Sequence, residues 1–165
     1  MNRTDVSLLL LRSVFGCFLA WHGVNKVRGG LDGTAGWFAS IGMKWPRLQA
    51  RIAAVTEIGA GLMLAVGFLT PLAGAAVIAT MLVAIVTVHW RVGFFVFLPG
   101  QGWEYCASIA VAGAAIVIVG PGRASFDYWL GLQADTVTAA AGVALGGLAA
   151  AGHLALSWRR TGDPA

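Results

Sequence analysis

The chain has 165 residues, of which 58% are hydrophobic and only 11% charged, where a soluble domain carries roughly a quarter charged residues. That excludes a sizeable soluble domain and predicts an all-α polytopic transmembrane helix bundle, because helices satisfy their own backbone hydrogen bonds in lipid. The net charge of +4 comes from arginines and lysines beside the apolar runs, so it reports membrane topology and not nucleic-acid binding.

Five apolar runs are spaced along the chain, at residues 6–24, 52–69, 72–90, 105–119 and 137–158. About twenty such residues cross a bilayer core as a helix. The first run follows Arg3 as a signal peptide would, but Arg12 interrupts it and no A-x-A-like cleavage site follows, so a retained first helix is expected. Between the first two runs, Trp37, Phe38 and Ile41 recur at helical spacing, which predicts a short interfacial helix. Thr70-Pro71 is a tight turn between the second and third runs. The loop after the third holds an apolar patch at residues 94–98, ended by Pro99-Gly100. The fourth run is short and spans only if Trp103 and Glu104 are counted at its edge; Gly120-Pro121-Gly122-Arg123 stops it.

Lys and Arg are unevenly distributed. Lys26, Arg28, Lys44, Arg47, Arg51, Arg91, Arg159 and Arg160 fall on one side, against Arg3, Arg12 and Arg123 on the other. By the positive-inside rule, this places the N-terminus outside and the C-terminus in the cytoplasm of a cell inner (plasma) membrane. Depth follows from the constant helical rise. His22, His89 and His153, with Glu57 and Glu104, all fall in the half of the bilayer nearest the 26–51 loop.

Glu57 is the most informative residue, being the single charge in its run. An intramembrane carboxylate is costly and faces a protein interior or cavity. It shares an i+4 stripe with Ala53, Gly61 and Ala65, and small residues mark close helix contact. Glu104 is placed inward on a stripe with Ser108 and Ala112. His22, Asn25 and Lys26 form one face of the first helix. Two readings of Glu57 stand: a proton-accepting or ligand-orienting carboxylate working with His22, or an ion-pair partner of His22, Lys26 or Arg12 that sets helix register. Arg12 reads as a snorkelling or paired structural residue. The candidate ligand-binding set is Arg12, His22, Asn25, Lys26, Glu57 and Glu104, with Glu57 and His22 as the candidate proton relay. His89, beside Trp90 and Arg91, reads as part of an interface belt. Cys17 and Cys106 lack a C-x-x-C spacing and read as small core residues. No H-x-x-x-H or E-x-x-H motif supports a metal site, and no covalently bound cofactor is expected.

The stretch Leu9-Leu10-Leu11-Arg12, Gly16, Phe18, His22-Gly23 and Lys26 resembles the first helix of DoxX/DoxD-like membrane proteins. So does the pattern Phe38, Gly42, Glu57, Gly61, Gly67 and Pro71, and Gly120-Pro121-Gly122-Arg123 followed by Ser125-Phe126-Asp127 is similar to that family's closing signature. The resemblance covers roughly residues 7–130 and implies a four-helix membrane core at 1–130. A fifth span and a short basic tail are then added over 131–165. It also implies kinship with small subunits of quinone-linked oxidoreductases, such as thiosulfate:quinone oxidoreductase, or with oxidative-stress assemblies. On that view the chain is an accessory or anchor subunit with protein partners in a membrane redox complex, its polar pocket serving a quinone. The alternative is a protein that binds or moves a small hydrophobic solute, or a purely structural membrane partner. Both leave a homo-oligomer open.

Overall fold

A computed structural model describes residues 1–132 and 135–160. Helix α1 spans Arg3–Arg28. It starts ahead of the apolar run because Asn2 and Asp5 form a reciprocal capping box, the Asn2 side chain accepting from the Asp5 amide at 2.9 Å and the Asp5 carboxylate from the Asn2 amide at 2.8 Å. The expected interfacial helix is α2, Leu31–Ser40, with Trp37 and Phe38 ring centroids 5.3 Å apart. Helix α3, Pro46–Val66, begins on a proline, whose missing N–H costs nothing in a first turn. It ends earlier than the apolar run because Gly67 turns left-handed at φ +68°.

Helix α4 covers Thr70–Ala84 and continues into a π turn at Ile85–His89. Helix α5 is Glu104–Val119, α6 a single turn at Phe126–Trp129, and α7 Thr136–Ser157. Among the described residues, four helices, α1, α3, α4 with its π turn, and α7, are long and apolar enough to cross a membrane. With 16 residues, α5 reaches about 24 Å, short of the roughly 30 Å hydrocarbon core. The chain is an all-α multi-span membrane protein.

Small residues set the helix contacts. A Cβ added to Gly16 would lie 2.5 Å from the Gly61 carbonyl oxygen, and one on Gly61 would lie 2.5 Å from the Ala20 amide. The backbones of α1 and α3 therefore touch, as the Ala53–Gly61–Ala65 stripe predicts. Gly146 of α7 meets Ile78 and the Ala75 carbonyl of α4, while Gly142 meets Pro71. Leu19, Ala60, Leu64, Ala73, Val77 and Ile116 form the core where α1, α3, α4 and α5 converge. Helix α7 is thereby built into the bundle alongside α4 and α5.

Each end of the bundle is closed by the chain itself. At the end holding the α1–α2 connection, the Lys44 amide donates to the Ser157 carbonyl at 2.7 Å and the Arg159 amide to the Gly42 carbonyl at 2.9 Å. The Trp158 indole N–H donates to the Ile41 carbonyl at 2.8 Å. At the far end, the segment 120–127 folds back over α1, α3 and α4. Asp127 accepts the Leu69 amide on Oδ1 at 2.7 Å and the Thr70 amide on Oδ2 at 2.8 Å, capping α4 from a distance. The Arg123 amide donates to Asp5 at 2.9 Å.

Candidate functional site

Of the five polar residues placed at one depth, four border a single cavity and Glu104 does not. A space of about 580 Å³ lies among α1, α2, α3, α4, α5 and α7 in the half of the bundle nearest the α1–α2 connection. His22, His89 and His153 all line it, together with Lys26 and Glu57. The remaining wall is mostly apolar, from Phe15, Phe18 and Leu19 through Ile52 and Met81 to Ile109. A volume of this size with a few convergent polar groups is the usual form of a small-molecule site.

Glu57 is 6% exposed and its Oε2 lies 2.5 Å from the Lys26 ammonium. The interhelical ion pair is thus made by Lys26 and not by His22, which stands one turn earlier on α1 and borders the cavity without an ion pair to Glu57. The reason is reach: the α1–α3 backbones touch at Gly23, where a Cβ would come within 2.8 Å of the Ala54 carbonyl, so the long lysine side chain just beyond that contact bends back to the carboxylate. Only Oε2 of Glu57 is engaged among the described residues.

His89 borders the cavity from within the π turn, whose i→i+5 bond runs from the Trp90 amide to the Ile85 carbonyl at 2.7 Å. It follows Met81, which lines the same cavity, and the buried Ile85 at i+4 spacing, so the face it continues already points inward; only its neighbours Trp90 and Arg91 suggested an interface belt. Its Nδ1 is 2.6 Å from the Gln101 carbonyl oxygen. Gln49, which is 5% exposed, and Thr56, Thr80, Thr87, Gln101 and Tyr105 also line the space. They carried no motif signal, since isolated Thr and Gln residues occur throughout helices.

The other expected site residues are elsewhere. Arg12 is 0% exposed but lies 14 positions before Lys26 on α1, about 21 Å along the axis. There its guanidinium donates to the Ala124 carbonyl at 2.7 Å and the Ala65 carbonyl at 3.3 Å, near Asp127. Gly67 has no room for a side chain beside it, as an added Cβ would collide with Arg12 Nη1 and Ser125. Arg12 belongs to the far-end knot and cannot reach Glu57. Glu104 is half-buried and does not line the cavity: the inward stripe of α5 is Cys106–Gly113–Ile116–Val117, and Ser108 is exposed. Asn25 is exposed and outside the cavity. Of the two cysteines, Cys106 is buried and lines the space, whereas Cys17 sits on the outer, lipid-facing side of α1 instead of in the core. Among the described residues, no three His, Cys, Asp or Glu side chains converge as metal ligands.

The chain matches known proteins. The DoxX family model matches residues 7–90, which hold the α1–α3 contact, the Lys26–Glu57 pair and the π turn. A protein of Bacillus subtilis (strain 168), named "Putative oxidoreductase CatD", is 33% identical over 95 residues, covering 57% of this chain and 69% of that protein. An Escherichia coli (strain K12) protein, "Inner membrane protein YphA", is 32% identical over 126 residues, 74% of this chain and 89% of its own length. No solved structure matches. The chain belongs to the DoxX family of membrane proteins.

Proposed function

We propose that the chain is a membrane subunit of a quinone-linked oxidoreductase or oxidative-stress complex, and that the cavity around Lys26 and Glu57 is its quinone site. The observation that carries this reading is an ion pair and three histidines gathered at one apolar cavity of about 580 Å³ at membrane depth. A lipid-soluble ligand with a polar head needs that combination: apolar walls for its ring and tail, and a few fixed polar groups for its oxygens. The name of the B. subtilis relative, that of an oxidoreductase, agrees with it. A bound quinone supplies two-electron, two-proton redox chemistry, with the electron carriers held by partner proteins. The chain's own residues bind and move protons. With a quinone bound, the Lys26 ammonium would hydrogen-bond a ring oxygen, and Glu57, released from Lys26 and protonated through His22 at the mouth, would deliver that proton to the ring oxygen as it is reduced. The Lys/Arg asymmetry supports placing this end of the bundle at the cytoplasmic face of the plasma membrane.

Glu57→Gln tests this. It keeps shape and hydrogen bonding but cannot take up a proton. The variant is expected to insert and melt as the wild type does, while the complex isolated with it loses electron transfer to quinone. A variant that fails to accumulate, with the surviving protein fully active, would make Glu57 a structural partner of Lys26 and remove the proposal. The other reading, a carrier for a hydrophobic solute, would show as solute uptake into vesicles holding the chain alone.

A further inference from the structure

We infer that the cavity selects the reduced, hydroxyl-bearing form of a quinoid ligand over the oxidised, carbonyl form, with His89 as the residue that reads the difference; this rests on the quinone-site reading above. The carbonyl of Gln101 can only accept, so the 2.6 Å contact from His89 Nδ1 assigns the ring proton to Nδ1. In the neutral ring, Nε2 is then an acceptor that needs a donor. Of the hydroxyls that border the same space, Thr87 donates to the Val83 carbonyl and Thr80 to the Ala76 carbonyl, both at 2.8 Å, and neither Thr56 nor Tyr105 is hydrogen-bonded to Nε2. Nothing among the described residues donates to Nε2.

The carboxylate across the space is in the same condition. Glu57 Oε2 receives Lys26, while Oε1 receives no donor among the described residues and is not sealed off in the protein. Two acceptors, one from α3 and one from the π turn after α4, therefore line one apolar cavity. A hydroquinone carries a hydroxyl proton on each side of its ring and can satisfy such acceptors. A quinone presents lone pairs to them and leaves a desolvated acceptor without a partner. Leaving one such acceptor unpaired costs on the order of a tenfold to a hundredfold in affinity. Sites built to bond a hydroxyl reject analogues lacking it on this principle.

The test uses the full chain in nanodiscs under anaerobic conditions and a short-tailed benzoquinone as probe, in its quinone form, its hydroquinone form and as the hydroquinone dimethyl ether. The ether keeps size and tail but has no hydroxyl proton. Wild-type protein is expected to bind the hydroquinone at least tenfold more tightly than either other form. His89→Phe should erase that preference, and His89→Gln, which keeps an acceptor, should restore most of it. Nitrogen NMR of labelled histidine should report the Nδ1-protonated tautomer for His89. Equal binding of all three forms by wild-type protein, or an Nε2-protonated ring, overturns the inference while leaving the quinone site standing. No saturable binding of any form overturns both.

Discussion

Asp127→Asn is a severe test of how the bundle is held together. The Asp127 side chain is 1% exposed, and its two oxygens accept the Leu69 and Thr70 amides at 2.7 and 2.8 Å. An asparagine has one acceptor oxygen, so one of those amides would face an NH₂ group. An unsatisfied buried donor costs about 1–3 kcal/mol. The substitution also strips the negative charge near Arg12, which is 0% exposed and whose remaining contacts are to the neutral carbonyls of Ala65 and Ala124. Arg12 and Asp127 are not in ion-pair contact, so the lost field adds little and the total stays at about 1–3 kcal/mol. That corresponds to a fall in melting temperature of about 2–12 °C for a chain of this length. Thermal unfolding in detergent, followed by circular dichroism, measures it. Arg12→Met removes the stranded cation, so the double variant should melt above the sum of the single effects, by the logic of a double-mutant cycle. The cavity lies at the other end of α1, and its ligand affinity should not change. A single variant melting within 2 °C of the wild type, or strictly additive effects, would refute the knot as argued.

Gly61→Val is expected to prevent accumulation of folded protein, because its Cβ would sit 2.5 Å from the Ala20 amide and 2.6 Å from the Gly16 carbonyl oxygen; wild-type levels of monodisperse protein would contradict backbone contact between α1 and α3. Asp135 caps α7 and has its carboxyl held below the usual range by the Thr138 backbone N–H first and the Thr138 hydroxyl second. Its contribution is therefore complete above the unfolded-state value near pH 4 and lost as pH falls through the lower folded value. Hydrogen exchange in the first turn of α7 should show the wild type better protected than Asp135→Ala at neutral pH, the gap closing in acid. Trp158→Phe removes the indole donor to Ile41 and should lower stability by about 1 kcal/mol, read as a small drop in melting temperature; no change would mean the backbone pairing alone closes that end. For orientation, a C-terminal fluorescent-protein fusion should glow and an alkaline phosphatase fusion stay inactive, the reverse pair placing the C-terminus outside.

The sequence by itself determined what depends on composition and constant rise. Apolar runs separated by charged or Gly-Pro breaks set the membrane helices, and a fixed advance per residue put His22, Glu57, His89 and His153 at one depth before any packing was known. The Gly61 stripe likewise announced the α1–α3 contact, since a missing side chain has little other use at a helix crossing. Azimuth and partner choice were decided only in three dimensions. His89, which its neighbours Trp90 and Arg91 drew towards the interface belt, borders the cavity. A shift of the buried stripe to Cys106, Gly113, Ile116 and Val117 took Glu104 out of it. The chain between spans brought carbonyls 53 and 112 residues distant to Arg12, while chain reach gave Glu57 to Lys26 and not to the histidine one turn before it. Rise along a helix is a property of the backbone alone, but which way a residue points and what it meets are set by the other helices.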